Sequence, residues 1–432
     1  MRPVGSTAFK QPPVRDIAAR RSNLAGEASL NMLAILWSGL ILATLVGAAA
    51  GRFPGIAMNR ATIALVGATA LVLTGAISRQ QAYAAIDLDT IALLLAMMVI
   101  NVNFRMAGFF ALVARVTVNS RLAPTALLAA LMAAAGTLSA VFLNDTIALA
   151  FTPLVIEVVL ARRLKPAPFL IGLAMAANIG SVATQIGNPQ NMLIGIASGL
   201  DFVSFAAALW PVGAGGLLIS WAVLVILFRR DLSGGAAAVS IQAPLNRPLL
   251  AKCGLAAAVL LAALIAGVPV SLAALAGASL LLITRTQHPA RVFQEIDWGL
   301  LVFFAALFVV TGAVQTTGFA ATIISRLDVD LLAHSASLTA TAAILSNLVS
   351  NVPAVLLLAP LIETLPAPEN AWLVLAMATT FAGNLTLLGS VANLIVAEQA
   401  RRHEIDLGFW TYLKAGIPVT LATLLWGVWW LP

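Results

Sequence analysis

Charge is the scarcest resource in this sequence: Asp, Glu, Lys and Arg together make up 9% of 432 residues. A soluble domain carries about 25%, because its surface faces water. A soluble globule of this size is therefore excluded. Cysteine is nearly absent as well. The single Cys253 excludes a disulfide framework and a thiolate metal cluster within one chain, and is read as a packing residue near a helix start. His288, His334 and His403 fall in or near loops, which leaves no histidine-based metal centre. No HExxH motif, no pair of intramembrane acids and no Ser/His pairing appears, so the chain is not expected to be an intramembrane enzyme. The period-2 alternation of a β-barrel is missing too, and helices are the other structure that satisfies backbone groups in lipid.

Apolar residues fill the space that charge leaves. They form 61% of the chain, with a mean hydropathy of +1.00. Runs long enough to cross a hydrocarbon core of about 30 Å lie at 30–50, 60–78, 90–114, 207–228, 249–267, 268–286, 296–320 and 412–430. The net charge of +7 and pI near 10.5 do not point to nucleic acid, because Lys and Arg sit in short clusters between apolar runs. That is the pattern of loops facing anionic lipid. Residues 1–29 read as a basic, flexible tail, and the run that follows is too long for a signal-peptide core. If the polar segment 229–248 is a cytoplasmic linker, only Arg79 and Arg326 flank outside loops, while the tail's own basic residues fall outside.

Four regions break the pattern at mid-run. Stretches 122–161 and 332–365 are interrupted by Asn144-Asp145-Thr146 and Ser350-Asn351. Segments 168–200 and 371–400 are apolar at both ends and polar between Asn178 and Asn191 and between Gly383 and Asn393. The halves also repeat. Ile86-Asp87 and Gly108-Phe109 recur as Ile296-Asp297 and Gly318-Phe319 at an offset of 210. Asn144 and Pro153 recur as Asn351 and Pro360, and Leu173–Ala176, Thr184, Gly187 and Asn191 recur as Leu375–Ala378, Thr386, Gly389 and Asn393. Counting each centrally broken stretch as a re-entrant hairpin leaves five crossings per half. Five is odd, so the second half is inverted. The expected fold is an all-α integral membrane protein of two inverted repeats (30–228 and 249–432), each of about five transmembrane helices with one hairpin and one broken helix. Matched interruptions of this kind mark a secondary transporter's binding site.

Non-helical backbone at membrane depth is costly unless it lines a cavity or is buried in protein. The four breaks are therefore expected to converge on one solute site. Its candidate residues are Asn144, Asp145, Thr146, Asn178, Ser181, Thr184, Gly187, Asn188, Asn191, Ser350, Asn351, Asn384, Thr386, Gly389, Ser390 and Asn393. Amides, hydroxyls and free helix N-termini suit an anion or a hydroxylated solute. Unwound carbonyls near Asn144, Asp145, Gly187, Asn351 and Gly389 suit Na+. Asp145 is an ionisable residue deep in an apolar stretch, which couples a cation or proton, caps the helix near Thr146, or does both. Arg105, beside Asn101 and Asn103, is either an anion partner or a cation snorkelling to the interface. Glu157 and Glu398 lie near basic loop residues and read as interfacial.

At these residues the chain resembles the ion transporter superfamily that unites arsenite permeases, NhaD-type Na+/H+ antiporters and divalent anion:sodium symporters. Gly180-Ser-Val-Ala-Thr184-Gln-Ile-Gly187-Asn-Pro189-Gln-Asn191 is similar to that superfamily's first unwound helix. The dicarboxylate carriers show Ser-Asn-Thr at both hairpin tips, which neither tip here matches in full. Phe142-Leu-Asn-Asp145 resembles the arsenite-permease branch. The resemblance implies an elevator-type carrier, a homodimer in a bacterial-type inner membrane, moving a small inorganic oxyanion or metalloid acid with Na+ or H+. The partners implied are that solute and the lipid bilayer. A Na+/H+ antiporter, or a di- or tricarboxylate symporter of the same fold, is the alternative.

Overall fold

The computed structural model describes residues 14–51, 56–118, 122–234, 245–283, 289–318 and 332–431. Among these, the chain is helical throughout, with no strand. The first half runs α1 (Val14–Ala50), α2 (Arg60–Leu73), α3 (Arg79–Ala84), α4 (Leu88–Met106), α5 (Phe109–Val118), α6 (Pro124–Ser139), α7 (Asn144–Ala161), α8 (Pro166–Ser181), α9 (Pro189–Ala197) and α10 (Phe202–Leu227). The second half runs α11 (Arg247–Ile265), α12 (Val270–Leu282), α13 (Pro289–Gln294), α14 (Trp298–Thr316), α15 (Ser335–Val349), α16 (Asn351–Ile362), α17 (Pro368–Ala382), α18 (Val391–Arg402) and α19 (Phe409–Trp430). Among the described residues, six stretches are long and apolar enough to cross a membrane: 32–50, α4, α7, α10, α11 and α14.

The helix order of the first half recurs in the second. Helices α4 and α14 are both 19 residues long and start 210 positions apart. Each is capped by an aspartate, Asp87 or Asp297, whose side chain accepts from the backbone three residues on. Helices α8 and α17 both open on a proline, Pro166 and Pro368. Here the lost N–H would have had no partner in any case.

The structure corrects several boundaries. The run expected to cross at 90–114 is two helices, because Gly108 takes φ +81° and turns the chain after α4. Its counterpart Gly318, at φ +70°, ends the run expected at 296–320 in the same way. This is the left-handed conformation that glycine adopts without strain after a helix end. The run expected over 60–78 stops at Leu73, and Gly75 (φ +78°) leads into α3. Residues 14–29, expected as flexible tail, belong to α1, consistent with their Ala, Arg, Glu and Leu content. Residues 1–13 of that tail, 235–244 of the linker, and His288, Phe319 and Arg326 lie outside the described residues.

Packing sorts the helices into two groups. Helices α1, α2, α4, α11, α12 and α14 pack on one another, and α6 to α10 pack with α15 to α19. The second group is the tighter: every side chain of α8 from Pro168 to Ser181 is buried. Close approach there depends on small residues, as in other membrane helix pairs. A Cβ at Gly180 would lie 2.1 Å from the Gly136 carbonyl oxygen of α6, a backbone atom that has nowhere to go. At Gly254, in α11, a Cβ would meet nothing within 4 Å. Gly180→Ala is accordingly expected to destabilise the protein by about 1–3 kcal/mol. Gly254→Ala should be neutral or stabilising by up to about 1 kcal/mol. Thermal melting of the detergent-purified variants checks the pair.

Candidate functional site

Both broken helices are held open by the same set of hydrogen bonds. Helix α8 stops at Ser181 and α9 begins at Pro189, so carbonyls in between lose their helical donors. The Asn191 carboxamide supplies a replacement: its Nδ2 donates to the carbonyls of Ser181 (3.2 Å), Val182 (3.1 Å) and Thr184 (3.0 Å). In the second half Asn393 Nδ2 donates to the carbonyls of Gly383 (2.8 Å) and Thr386 (3.1 Å), the repeat counterparts of Ser181 and Thr184. Asn188 and Ser390, also counterparts, cap α9 and α18. Gly187 and Gly389 complete the likeness, because a Cβ on either would strike the carbonyl oxygen of Ser181 or Gly383.

One side chain ties the breaks together. Asn178, buried in α8, donates through Nδ2 to Asn384 Oδ1 (2.9 Å) and Asn393 Oδ1 (3.0 Å). Its Oδ1 accepts from Asn144 Nδ2 (3.1 Å) and from Ser390 Oγ (2.9 Å). Two donors and two acceptor sites are thereby used in full. The tip of the α6–α7 pair is docked by the Asn144 N–H on the Gly187 carbonyl (3.0 Å) and by the Thr184 hydroxyl on the Ala140 carbonyl. The tip of the α15–α16 pair is docked through Asn347 Nδ2 on the Ala382 carbonyl (3.1 Å), while Ser346 Oγ donates to Asn351 Oδ1 (2.7 Å). A single residue, Ser350, joins α15 to α16 with φ +77° and ψ 162°. That region is nearly reserved for glycine and strains other residues by about 1–3 kcal/mol.

These pieces enclose a cavity of about 400 Å³. Asn144, Asp145, Pro189, Gln190, Ser350, Asn351, Ser390 and Val391 line it, so the N-termini of α7, α9, α16 and α18 all meet there. The starts of α2 (Asn59, Arg60) and α14 (Gly299, Leu300) form the opposite wall, with Asp297. The first turns of α9, α16 and α18 carry no acidic side chain; Pro189 and Pro353 bring no N–H, and the caps take those of Asn191 and Ala392, which leaves Gln190, Asn351, Val352 and Val391 with uncapped first-turn N–H groups.

Of the residues expected from the sequence, Asn144, Asp145, Ser350, Asn351 and Ser390 line the cavity. Asn178, Ser181, Asn188, Asn191, Asn384 and Asn393 are buried behind its floor as the frame just described. Gly187 and Gly389 shape the breaks, Thr184 and Thr386 offer carbonyls to the two asparagines, and Thr146 sits in the first turn of α7. None of these eleven lines the cavity. Arg105 is elsewhere too: it pairs with Glu295 at 2.6 Å, away from this cavity. Glu398 pairs with Arg401 and Arg402. The charged and polar cavity residues not foreseen are Arg60, Asp297, Gln190 and Asn59. Arg60 opens an apolar run and Asp297 caps a helix, and at such positions a charge reads as interfacial.

Apolar spans around a polar cavity framed by four helix interruptions define a multi-pass integral membrane transporter. The chain belongs to the citrate transporter family (CitMHS), whose pattern matches residues 32–382. It is 30% identical over 449 aligned residues to the silicon efflux transporter LSI3 of Oryza sativa, covering 87% of this chain and 93% of that one. It is 29% identical to the uncharacterized transporter Rv2684 of Mycobacterium tuberculosis, over 85% of this chain and 92% of the relative. Its fold is similar to that of the Alcanivorax borkumensis YdaH transporter, with a TM-score of 0.53 at 16% identity, covering 92% and 97% of the two chains.

The frame makes a stability prediction. Asn191→Ala leaves the Val182 and Thr184 carbonyls without a donor, and Asn393→Ala the Gly383 carbonyl, because Ser181 keeps Asn188 and Thr386 keeps the Gly389 N–H; the cost is about 1–3 kcal/mol per group. Both variants should melt below the parent protein. A thermal series that found one of them neutral would contradict the shared role.

Proposed function

We propose that this protein is a cation-coupled carrier of a small, uncharged or singly charged inorganic oxyacid, with metalloid hydroxides such as silicic and arsenous acid as the leading class. The observation that carries this reading is the meeting of four interrupted-helix N-termini at one cavity of about 400 Å³. Backbone N–H groups, the Asn144 and Asn351 amides and the Ser350 and Ser390 hydroxyls suit a compact solute that presents several oxygens. The charges suit it as well. Arg60 stands against Asp145 and Asp297 in the same wall, so a tricarboxylate would bring its anions beside two carboxylates with one cation to receive them. At an effective dielectric of about 20, like charges 4 Å apart repel by about 4 kcal/mol. A neutral hydroxide avoids that penalty. The rice relative's named activity, silicon efflux, supports the same class.

In this reading α6–α7 and α15–α16 are hairpins entering from opposite faces, and the two halves are inverted repeats. Helix α16, at 12 residues, reaches about 18 Å, short of a hydrocarbon core of about 30 Å. The group formed by α6 to α10 and α15 to α19 moves as an elevator against the scaffold of α1, α2, α4, α11, α12 and α14. Asp145, the acidic residue at a hairpin tip, carries the coupling Na+ or proton. The carrier is a homodimer of the inner membrane.

Flux in proteoliposomes tests this, using arsenite, germanic acid as a silicic acid tracer, sulfate, succinate and citrate under imposed Na+ and pH gradients. Movement of the two metalloid acids but not of citrate is expected. Asn144→Ala and Asn351→Ala should each abolish it while the protein still inserts, and Asp145→Asn should remove its dependence on the Na+ or pH gradient. Citrate flux with no metalloid flux would assign the tricarboxylate reading instead, and Na+/H+ exchange with no solute the antiporter reading.

A further inference from the structure

The solute cavity has two walls that belong to different helix groups. Asp145 sits at the start of α7, in the group with the broken helices. Arg60 and Asp297 sit at the starts of α2 and α14, which pack on each other in the other group. These three are the charged residues on the cavity among the described residues. Helices α5, α6, α8 and α18, which pack against α7, contribute none to it.

Arg60 is placed with some care. Its side chain lies across Gly51, where a Cβ would come within 3.2 Å of Nε, and Gly51 itself has φ +71°. Both the space and the backbone conformation there favour glycine. The Arg60 guanidinium makes no ion pair within 4 Å among the described residues, yet it lines the same cavity as Asp145 and Asp297. The repeat counterparts of Arg60 and Asp145 are Val270 and Val352, so this opposition exists once in the molecule.

Resting on the carrier reading above, we propose that Arg60 is a scaffold-borne counter-cation to Asp145, a charge latch across the boundary between the two helix groups. With Asp145 ionised and unoccupied, the attraction holds the α7 tip against α2 and opposes movement of a naked carboxylate into the membrane. A Na+ or proton on Asp145 neutralises it and releases the latch. Arg60 and the coupling cation therefore compete for one carboxylate. Asp297, fixed by accepting the Leu300 N–H at 3.0 Å, tempers Arg60 from the scaffold side.

Competition has a signature that a merely structural role lacks. Removing Arg60 should lower the cation concentration needed for half-maximal effect, by about fivefold or more for a coupling of ordinary size. The test uses the full chain in liposomes, in a Cys253→Ala background carrying Ala61→Cys on the cavity wall. The readouts are labelling rate with an impermeant maleimide as Na+ and pH are varied, and arsenite flux under the same conditions. In the parent background, labelling should respond to Na+ or to pH. Arg60→Gln should shift that response to at least fivefold lower cation, Arg60→Lys should leave it within about twofold, and Asp145→Asn should abolish it. Adding Arg60→Gln to Asp145→Asn should change nothing further. An unshifted response in Arg60→Gln, or an effect of Arg60→Gln that persists in the Asp145→Asn background, overturns the latch. Loss of arsenite flux alone, with the labelling pattern intact, would overturn the substrate reading and leave the latch standing. Gly51→Ala, which crowds Arg60, should mimic Arg60→Gln if Arg60→Gln inserts poorly.

Discussion

A bilayer offers no water to an exposed carbonyl, and everything at the centre of this molecule follows from how that constraint is met. Breaking a helix at membrane depth frees carbonyl groups that would otherwise make the break prohibitive. Asn191 and Asn393 meet the need with one carboxamide each, set at the same place in the two halves. Once those carbonyls are satisfied, the helix that resumes after each break can start at the wall of a cavity. The polar site is therefore a by-product of a stable interruption, and the frame and the site are chemically distinct layers.

Asn178 is the fully bonded centre of the frame. A buried carboxamide with one unmet donor or acceptor loses about as much as a hydrogen bond gains. Asn178 meets all four demands by reaching from α8 to the tip of α7 and to both ends of the second break. It thereby fixes Asn144 and Ser390, which do face the cavity. The two halves of the chain are joined at this point by hydrogen bonds rather than by apolar packing alone.

Near symmetry in the frame contrasts with asymmetry in charge. The asparagines, glycines and caps of the breaks have counterparts, whereas Arg60 and Asp145 face Val270 and Val352 in the repeat. N–H groups and amides reach the cavity from both halves. The opposed Arg60 and Asp145 come from one.

Much of this was legible in the residues themselves. Scarce charge and long apolar runs determine an all-helical membrane protein, because a surface facing lipid must be apolar and a backbone in lipid must bond to itself. The repeat and the four interruptions were visible because asparagine, glycine and proline identities recur in order at nearly constant offsets, which a common residue such as leucine or alanine cannot establish. Helix ends were less accessible: the run over 90–114 looks continuous, and only the left-handed Gly108 reveals that the chain turns there. Tertiary structure alone decided which polar residues touch the cavity. Asn178 and Asn144 have the same side chain in the same kind of context, yet one is locked behind the floor and the other lines the cavity. Likewise Arg60, Asp145 and Asp297 are separated by scores of residues, and nothing local to any of them signals the others. A charge at the start of an apolar helix reads as interfacial until packing brings it to the wall of a cavity. Which residues are polar, and where the helices must break, is written locally; which of those residues meet is a property of how the two helix groups close on each other.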